Sequence, residues 1–273
     1  MKLTKPLVGA LLCTLAIVVA PGASAAADTT KPTLTLPARA AFGSGTTIGP
    51  MAPDADGNPQ ETTGIRMNAK WTASDASGIC GSSYRREYAG AAPDQWSAWS
   101  SAMSLTYVAT DYSDQQGGGS FHVSGYGVRV RDCAQNVTSG FVSNFPVVYQ
   151  QDGSSYGYGQ LTTSYSGAWA TSTCTCWSGG TARRTSAAGA RANFVIDSGG
   201  PVAVVMEKAA NRGKAKILVD GVLRVTIDTY RDMPRHRTVV WAATLSRARH
   251  TVSVVNVATP GRPRIDVDAV MVN

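Results

Sequence analysis

The sequence predicts an all-β protein, with two tandem antiparallel β-sandwiches after a cleaved signal peptide. Three observations favour this class. Gly, Ser, Thr and Val are abundant, and neither heptads nor a strong helical periodicity occurs. Short segments that alternate apolar and polar residues recur between turn residues, as in antiparallel sandwiches. Without residues 1–25, about 248 residues remain, which is enough for two domains of ordinary size.

The first 25 residues are predicted to be an export signal. Lys2 and Lys5 form a basic start, PLVGALLCTLAIVVA contains an apolar run of about 14 residues, and Ala23 and Ala25 supply small residues for cleavage. That run is short for a membrane span, and no later segment is apolar for long enough. We therefore expect a secreted protein, either free or associated with the cell wall, that has no membrane span.

Residues 28–149 contain the first predicted sandwich. The segment IRMNAKWTA places four apolar side chains on one face: Ile65, Met67, Ala69 and Trp71. YGVRVRD alternates in the same way, with Val128 and Val130 opposite Arg129 and Arg131. Alternation with a period of two residues predicts half-buried antiparallel strands.

Three stretches of this half carry a family resemblance: DTTKPTLTLP at its start, WTASDASGI (71–79) and YGVRVRDCAQNVTSGFVS (126–143). They resemble the fibronectin-type-III and Ig-like modules of bacterial secreted proteins. In that fold the start of strand C and the end of strand F are neighbours, and Cys80 and Cys133 stand at those two places. The resemblance therefore implies a structural Cys80–Cys133 disulfide, worth about 4 kcal/mol on the chain-entropy estimate.

The pentapeptide WSAWS (96–100) matches the WSxWS signature of cytokine receptors. In those receptors the signature follows the arginine-bearing strand, whereas here it precedes that strand, so the order argues against a receptor. We expect Trp96 and Trp99 to flank an irregular strand edge. One ring would face inward, and the other would be partly exposed with Arg129 or Arg131 stacked on it.

Residues 156–273 contain the second predicted sandwich, after a linker at 150–155 with the sequence QQDGSS. Its clearest signal is KAKILVDGVLRVTIDTY, in which Asp220 and Gly221 join two β-rich runs. That pair of residues is typical of a type I′ hairpin turn. RTVVWAATL, RHTVSVVNV and RIDVDAVMV follow as further predicted strands.

Five stretches of this half carry a second resemblance: YSGAW (165–169), WSGGT (177–181), GKAKILVDGV (213–222), RHTVSV (249–254) and IDVDAVMV (265–272). They resemble the jelly-roll sandwiches related to galactose-binding and carbohydrate-binding modules. The resemblance implies that this domain binds a polysaccharide or a cell-envelope glycan. It indicates the fold more firmly than the ligand, because the architecture hosts many functions.

Aromatic residues are frequent at the start of this half: Tyr156, Tyr158, Tyr165, Trp169 and Trp177. Sugar-binding sites use exposed aromatic rings that stack on the apolar face of a pyranose. We expect these five residues to bind the glycan, with Tyr156 and Tyr158 the most exposed. The alternative is that Trp169 and Trp177 plug the end of the sandwich as core residues.

The string IDSGGPVAV (196–204) matches the surroundings of the nucleophilic serine in trypsin-like proteases. Such a serine needs a histidine base, an aspartate and two oxyanion donors. His236 and His250 follow Ser198, which is the wrong order for that family, and His122 lies in the first sandwich. We therefore expect Ser198 to be a turn residue, and we expect a protein that is not an enzyme and has no catalytic residues.

Acidic residues leave one further question open. Asp228, Asp266 and Asp268 are available for glycoside hydrolysis, but nothing in the sequence makes two of them converge. Asp268 is either a calcium ligand or the partner of one of the many arginines, and the arginine is the favoured alternative.

Cys174 and Cys176 are expected to form a local disulfide before Trp177, because exported proteins favour structural disulfides. The alternative is a metal site shared with His236 or His250. We expect neither a bound metal nor a cofactor.

Charge differs between the two halves. Residues 28–151 hold 8 basic and 10 acidic residues, whereas residues 152–273 hold 15 basic and 8 acidic residues. We expect a monomer that binds glycan and not nucleic acid, since no nucleic-acid-binding motif is present. The alternative function is a surface adhesion or scaffold protein that contacts acidic polymers or proteins through a basic face. An atypical secreted hydrolase is a remote third.

Overall fold

The computed structural model describes residues 27–45, 63–88, 92–111, 123–144, 147–153 and 160–273. The predicted signal peptide, His122, Tyr156 and Tyr158 lie outside these ranges. Regular structure within them is β-strand apart from one short 3-10 helix, Ser178–Gly180. The predicted all-β class is therefore confirmed. No helix in the described ranges has the length and apolar character needed to cross a membrane.

The strands up to residue 150 are β1 (Thr33–Thr35), β2 (Ala41–Phe42), β3 (Thr63–Lys70), β4 (Thr72–Ser74), β5 (Ile79–Tyr88), β6 (Ser104–Asp111), β7 (Val123–Asp132), β8 (Val137–Ser143) and β9 (Val147–Gln150). The later strands are β10 (Thr162–Ser166), β11 (Ala170–Thr173), β12 (Thr181–Thr185), β13 (Arg191–Ile196), β14 (Pro201–Lys208), β15 (Lys214–Val219), β16 (Val222–Asp228), β17 (Arg235–Thr244), β18 (His250–Asn256) and β19 (Ile265–Val272).

The second half is an antiparallel sandwich of two sheets. One sheet has the order β10-β13-β18-β15-β16, and the other has the order β11-β12-β19-β14-β17. Apolar side chains from both sheets fill the space between them, and the largest fully buried ones are Phe194, Ile196, Met206, Ile217 and Ile265. This arrangement agrees with the predicted jelly-roll type of sandwich.

The hairpin between β15 and β16 has the predicted turn. Val219 pairs with Val222 across it, and both connecting residues have positive φ, 53° at Asp220 and 78° at Gly221. A type I′ turn requires positive φ at both central residues, and Asp and Gly adopt it more readily than other residue types. The local sequence therefore determines this turn.

The first half contains the sheets β2-β3-β6 and β5-β7-β8, and the pair β1-β4. The predicted inward face is confirmed, because these side chains are all at most 3 % exposed: Ile65, Met67, Ala69, Trp71, Val128 and Val130. A disulfide joins Cys80 in β5 to Cys133 just after β7, with the two Cα atoms 4.8 Å apart. The Cys80–Cys133 bridge is therefore confirmed.

The two halves share packing surfaces. The outer face of the second sheet of the sandwich contributes to the apolar cluster of the first half through Ala203, Val205, Val239, Ala269 and Met271. The Gly45 amide donates to the carbonyl of Val239 at 2.8 Å. The first half therefore covers part of one face of the jelly roll.

The pairing of strand β9 crosses the predicted boundary between the two halves of the chain. It lies within residues 28–149 except for its last residue, yet it pairs with β19, from Val147 opposite Val272 to Gln150 opposite Ala269. The segment VVYQ consists mostly of β-branched and aromatic residues that suit a strand, but the strand's partner is more than a hundred residues away. Local pattern alone does not reveal a pairing of that kind.

Candidate functional site

A cleft of about 850 Å³ lies between the two halves. The first half lines it with Pro37, Ala38, Arg39, Ala41, Asn68 and Lys70, and β9 adds Val147 and Tyr149. The sandwich lines it with Ser198, Gly199, Gly200, Pro201, Thr244, Leu245, Arg247, Val272 and Asn273. We call this feature the inter-sandwich cleft.

Buried amide side chains hold the segment that contains Arg39 against the sandwich. Asn144 Oδ1 accepts from the amide of Ala40 at 2.8 Å, and Asn273 Nδ2 donates to the carbonyl of Ala40 at 2.9 Å. Asn273 Nδ2 also donates to Asn144 Oδ1 at 3.0 Å. Hydrogen bonds of this kind fix backbone that a loop would otherwise leave free, so this wall of the cleft is preorganised.

The inter-sandwich cleft is basic. Its described lining contains Arg39, Lys70 and Arg247 and no Asp or Glu. No ion pair links any of these three cations to a carboxylate within the described residues. Tyr149 is partly buried, and burial raises the pKa of its phenol, so the group stays neutral. Sequence reasoning missed this set, because its members come from segments that meet only in the folded chain.

Ser198 lies in the bend between β13 and β14, as predicted for a turn residue. No hydrogen bond joins its side chain to a histidine in the described ranges. The bend packs closely on the loop after β17, where a Cβ added to Gly199 would lie 1.5 Å from the carbonyl oxygen of Ser246. Glycine is therefore required at position 199, and the DSGGP string forms a wall of the cleft.

Tyr165 and Trp169, two of the predicted ring residues, pack on each other. Their centroids are 5.2 Å apart in an edge-to-face arrangement, and Tyr165 also packs on Phe194 at 6.4 Å. The guanidinium of Arg183 lies 4.7 Å from the Tyr165 ring centre, and the Tyr165 hydroxyl donates to the carbonyl of Gln151. Burial raises the pKa of Tyr165. The two rings are partly exposed, and their role in ligand binding stays a prediction.

Trp177, the third described ring residue, is 5 % exposed. Its Nε1 donates to Glu207 Oε2 at 2.8 Å. It therefore corresponds to the core alternative, because a buried ring has no free face for a sugar. Tyr156 and Tyr158 lie outside the described residues, so their predicted role stays a prediction.

Glu207 belongs to a buried group of charges behind Trp177. Arg212 Nη2 donates to Glu207 Oε1 at 3.0 Å, and Arg212 also contacts the carboxylate of Asp266. Arg264 donates to both Asp266 oxygens from Nε at 3.1 Å. Glu207, Arg212 and Asp266 are all at most 5 % exposed. Buried charges persist when each has a partner, so removal of one member of this group would leave the others uncompensated.

Asp268 is fully buried beside this group. Its Oδ1 accepts from the backbone amide of Ser178 at 2.9 Å. Burial, opposed by the Ser178 hydrogen bonds and the charge of Arg237, raises the pKa of Asp268 to about 7. A calcium ligand and an arginine partner are the two alternatives predicted for Asp268. In the structure Ser178 makes the direct contact and Arg237 acts as a nearby charge.

The Asp268→Asn variant is expected to change the pH dependence of stability. The folded-state pKa of about 7 lies above the ordinary value of 3.8, so unfolded chains release this proton first as the pH rises. The contribution of Asp268 to stability therefore falls between about pH 4 and pH 7, by up to about 4 kcal/mol. The free energy of unfolding of Asp268→Asn minus that of the wild type should therefore rise from pH 4 to pH 8. Urea unfolding across this range checks it, and a pH-independent difference would contradict it.

Cys174 and Cys176 form the predicted local disulfide. Arg237 fixes the loop that contains this disulfide. Its Nη2 donates to the carbonyls of Thr175 at 2.9 Å and Trp177 at 3.0 Å. The histidines of the metal alternative have other neighbours. His236 lies 3.4 Å from Glu207, and His250 pairs with Asp220.

The WSAWS segment forms a stack of arginines and tryptophans on the first sandwich. Trp96 contacts the guanidinium groups of Arg85 at 4.6 Å and Arg129 at 4.7 Å. Trp99 contacts Arg129 at 4.6 Å and Arg131 at 4.7 Å. The expected stacking of Arg129 or Arg131 on a partly exposed ring is confirmed. The expectation that the other ring faces inward is wrong, because both rings are only partly buried. Strand pairing, and not chain order, brings these groups together.

Three carboxylates meet near the start of the first sandwich. One oxygen from each of Asp28, Asp75 and Asp132 lies within 4.8 Å of the others. The oxygens accept local hydrogen bonds, for example from Ser77 to Asp75 at 2.8 Å and from Asn136 to Asp132 at 2.8 Å. These bonds fix the turns that hold the carboxylates.

Comparisons with known proteins identify no family. No protein-family model matches the chain, and no curated protein sequence matches it. Similar solved structures include the CBM36-1 domain of a multidomain xylanase from the hindgut metagenome of Trinervitermes trinervoides, at 11 % identity and a TM-score of 0.34 over 47 % of this chain and 97 % of that one. A GH26-CBM35 β-(1,4)-mannanase from Podospora anserina has 15 % identity and a TM-score of 0.28, over 46 % and 27 %. An exo-β-1,3-galactanase from Phanerochaete chrysosporium has 12 % identity and a TM-score of 0.34, over 76 % and 54 %. Similarity at this level does not assign a function.

Proposed function

We propose that the protein is a secreted polysaccharide-binding protein that holds an anionic glycan in the inter-sandwich cleft. One observation carries this proposal. Arg39, Lys70 and Arg247 converge on a ligand-sized cleft whose described lining contains no acidic side chain. Cations without an ionic partner attract carboxylate, phosphate or sulfate groups.

The form of the cleft favours a saccharide chain. Its volume lies in the range of small-ligand sites, about 300–1,000 Å³. Its lining mixes apolar residues such as Pro37 and Leu245 with Asn68 and the partly buried ring of Tyr149. Rings and amides of this kind contact the apolar face and the hydroxyl groups of a sugar, while the cations contact its acidic substituents.

The proposal combines the two leading functions that the sequence suggested. The ligand class is the predicted glycan, whereas the contact chemistry is the basic face of the adhesion alternative. The first half, which we propose to be a fibronectin-type-III-like module, supplies Arg39 and Lys70 as one wall of the cleft. The site is therefore placed between the two sandwiches and not on the jelly roll alone.

Removal of the three cleft cations is expected to weaken binding of an acidic glycan. The triple variant Arg39→Ala, Lys70→Ala, Arg247→Ala should lower the affinity for polygalacturonate by about 10- to 100-fold, since each exposed ion contact is worth up to about 1 kcal/mol. Affinity electrophoresis or calorimetry on the secreted form of the protein measures the effect. A neutral glycan such as xylan should bind more weakly than polygalacturonate to the wild type.

A matched variant separates the cleft from overall charge. Lys31→Ala, Lys214→Ala, Lys216→Ala also removes three exposed cations, but none of them lines the cleft. This variant should bind polygalacturonate almost as the wild type does. Equal losses in both triple variants would contradict a site in the cleft and would indicate a diffuse basic surface. Absence of binding to any acidic glycan would refute the proposed ligand class and leave a protein partner.

A further inference from the structure

Ser246, His250 and Asp220 form a hydrogen-bonded chain on the sandwich. The Ser246 hydroxyl lies 2.9 Å from His250 Nε2, and His250 Nδ1 lies 2.7 Å from Asp220 Oδ2. These contacts have the order and lengths of a nucleophile, its general base and the carboxylate that orients the base. None of the three residues is among the five aromatic residues that the sequence predicts as the binding site.

The contacts of the imidazole determine its tautomer. The carboxylate of Asp220 only accepts hydrogen bonds, because the His250 hydrogen bond and the Thr251 amide lower its pKa and keep it ionised. In neutral His250, Nδ1 therefore carries the proton and Nε2 carries the lone pair. Nε2 then accepts a hydrogen bond from the Ser246 hydroxyl. In the protonated imidazolium, Nε2 can donate to the carbonyl of Ser246, 3.1 Å away.

Rigid elements hold the three residues in place. Asp220 is in the β15–β16 turn, where its amide donates to the Thr251 carbonyl at 2.9 Å and its Oδ1 accepts from the Thr251 amide at 2.8 Å. His250 begins β18, and its side chain is only 13 % exposed. Ser246 is exposed in the loop before it. The base is thus fixed while the hydroxyl is accessible.

Two further groups in the same loop are available as hydrogen-bond donors. The backbone N–H groups of Ser246 and Arg247 make no hydrogen bond within the ranges that the structure describes. Serine hydrolases use unpaired backbone N–H groups beside the nucleophile to stabilise the oxyanion. In contrast, Ser198 has the protease-like flanking sequence but no histidine partner among the described residues, so sequence context and geometry point to different serines.

We propose that Ser246 is the nucleophile of an ester hydrolase whose substrates are carboxylic esters of alcohols. Ser246 Oγ forms a bond to the ester carbonyl carbon as its proton moves to His250 Nε2. The tetrahedral intermediate breaks the C–O bond to the alcohol, which leaves with that proton. Water then attacks the acyl-serine, again giving a proton to His250, and collapse releases the carboxylic acid and returns the proton to Ser246.

Labelling with a fluorophosphonate and turnover of p-nitrophenyl acetate test the proposal on the secreted form of the protein. Peptide mapping of the labelled wild type should place the phosphonate on Ser246. Ser246→Ala should abolish labelling and turnover, and His250→Gln should reduce both by roughly a hundredfold. Asp220→Asn, at a positioning residue, should lower kcat with little change in KM. Ser186→Ala, at an exposed serine of the same sandwich, should match the wild type.

Each alternative result is decisive. Absence of label, label on another residue, or label without ester turnover would each overturn the proposal. Labelling of His250→Gln at the wild-type rate would show that the Ser246–His250 contact serves the fold alone. Thermal unfolding of each variant separates a lost function from a lost fold, and the mapping on the wild type needs no variant. None of these outcomes depends on glycan binding in the cleft.

Discussion

Arg212→Met is expected to lower the free energy of unfolding by about 3–5 kcal/mol. Arg212 pairs with Glu207 and Asp266, and all three residues are almost fully buried. Removal of the guanidinium would leave two carboxylates without this partner in a site of low dielectric. Met fills most of the same volume, so the loss would arise chiefly from charge. Urea unfolding at pH 7 measures it.

An exposed pair provides the matched control. Arg86 pairs with Asp94 at 2.6 Å, but the two side chains are 49 % and 36 % exposed. Arg86→Met makes the same chemical change and should cost less than about 1 kcal/mol, because water screens exposed pairs. Similar losses in the two variants would contradict the account of a buried charge group that Arg212 stabilises.

The double variant Cys80→Ser, Cys133→Ser is expected to lose about 4 kcal/mol of stability on the chain-entropy estimate. The disulfide closes a loop with a sequence separation of 53. The bridge lowers the entropy of the unfolded chain, and its removal restores that entropy. This double variant and the wild type should be compared by urea unfolding under non-reducing conditions.

The second disulfide is the internal comparison. Cys174 and Cys176 are separated by 2 in sequence, so the same estimate gives only about 1–2 kcal/mol for Cys174→Ser, Cys176→Ser. A smaller loss for the Cys80–Cys133 pair than for this pair would show that loop closure does not govern the contribution of the disulfides.

The fold could be predicted where the signal is local. Alternation in β3 places Met67 inward because successive strand residues point to opposite faces, and Asp220-Gly221 forms its turn because these residues tolerate positive φ. Cys80 and Cys133 were paired through the family resemblance. These features require knowledge of a few neighbouring residues or of one known fold.

The candidate site could not be predicted in the same way. Arg39 and Arg247 are more than two hundred residues apart and meet only because the first half packs on the sandwich. The glycan site predicted from five aromatic residues assumes that neighbours in the sequence are also neighbours in space. In the structure, however, Trp177 is buried against Glu207. Ser246 has no motif around it, and its base is recognised by distance alone. Long-range packing creates such sites, and local pattern does not encode it.

The most direct test of the central claim is an NMR titration of the ¹⁵N-labelled chain without residues 1–25 with oligogalacturonate. Binding in the inter-sandwich cleft predicts the largest amide shifts at Arg39, Lys70, Tyr149, Gly200 and Arg247, and no such shifts with a neutral oligosaccharide of equal length. Shifts confined to the surface around Tyr165 and Trp169 would contradict the cleft and favour the aromatic site predicted from the sequence. No shifts at millimolar ligand would contradict glycan binding itself.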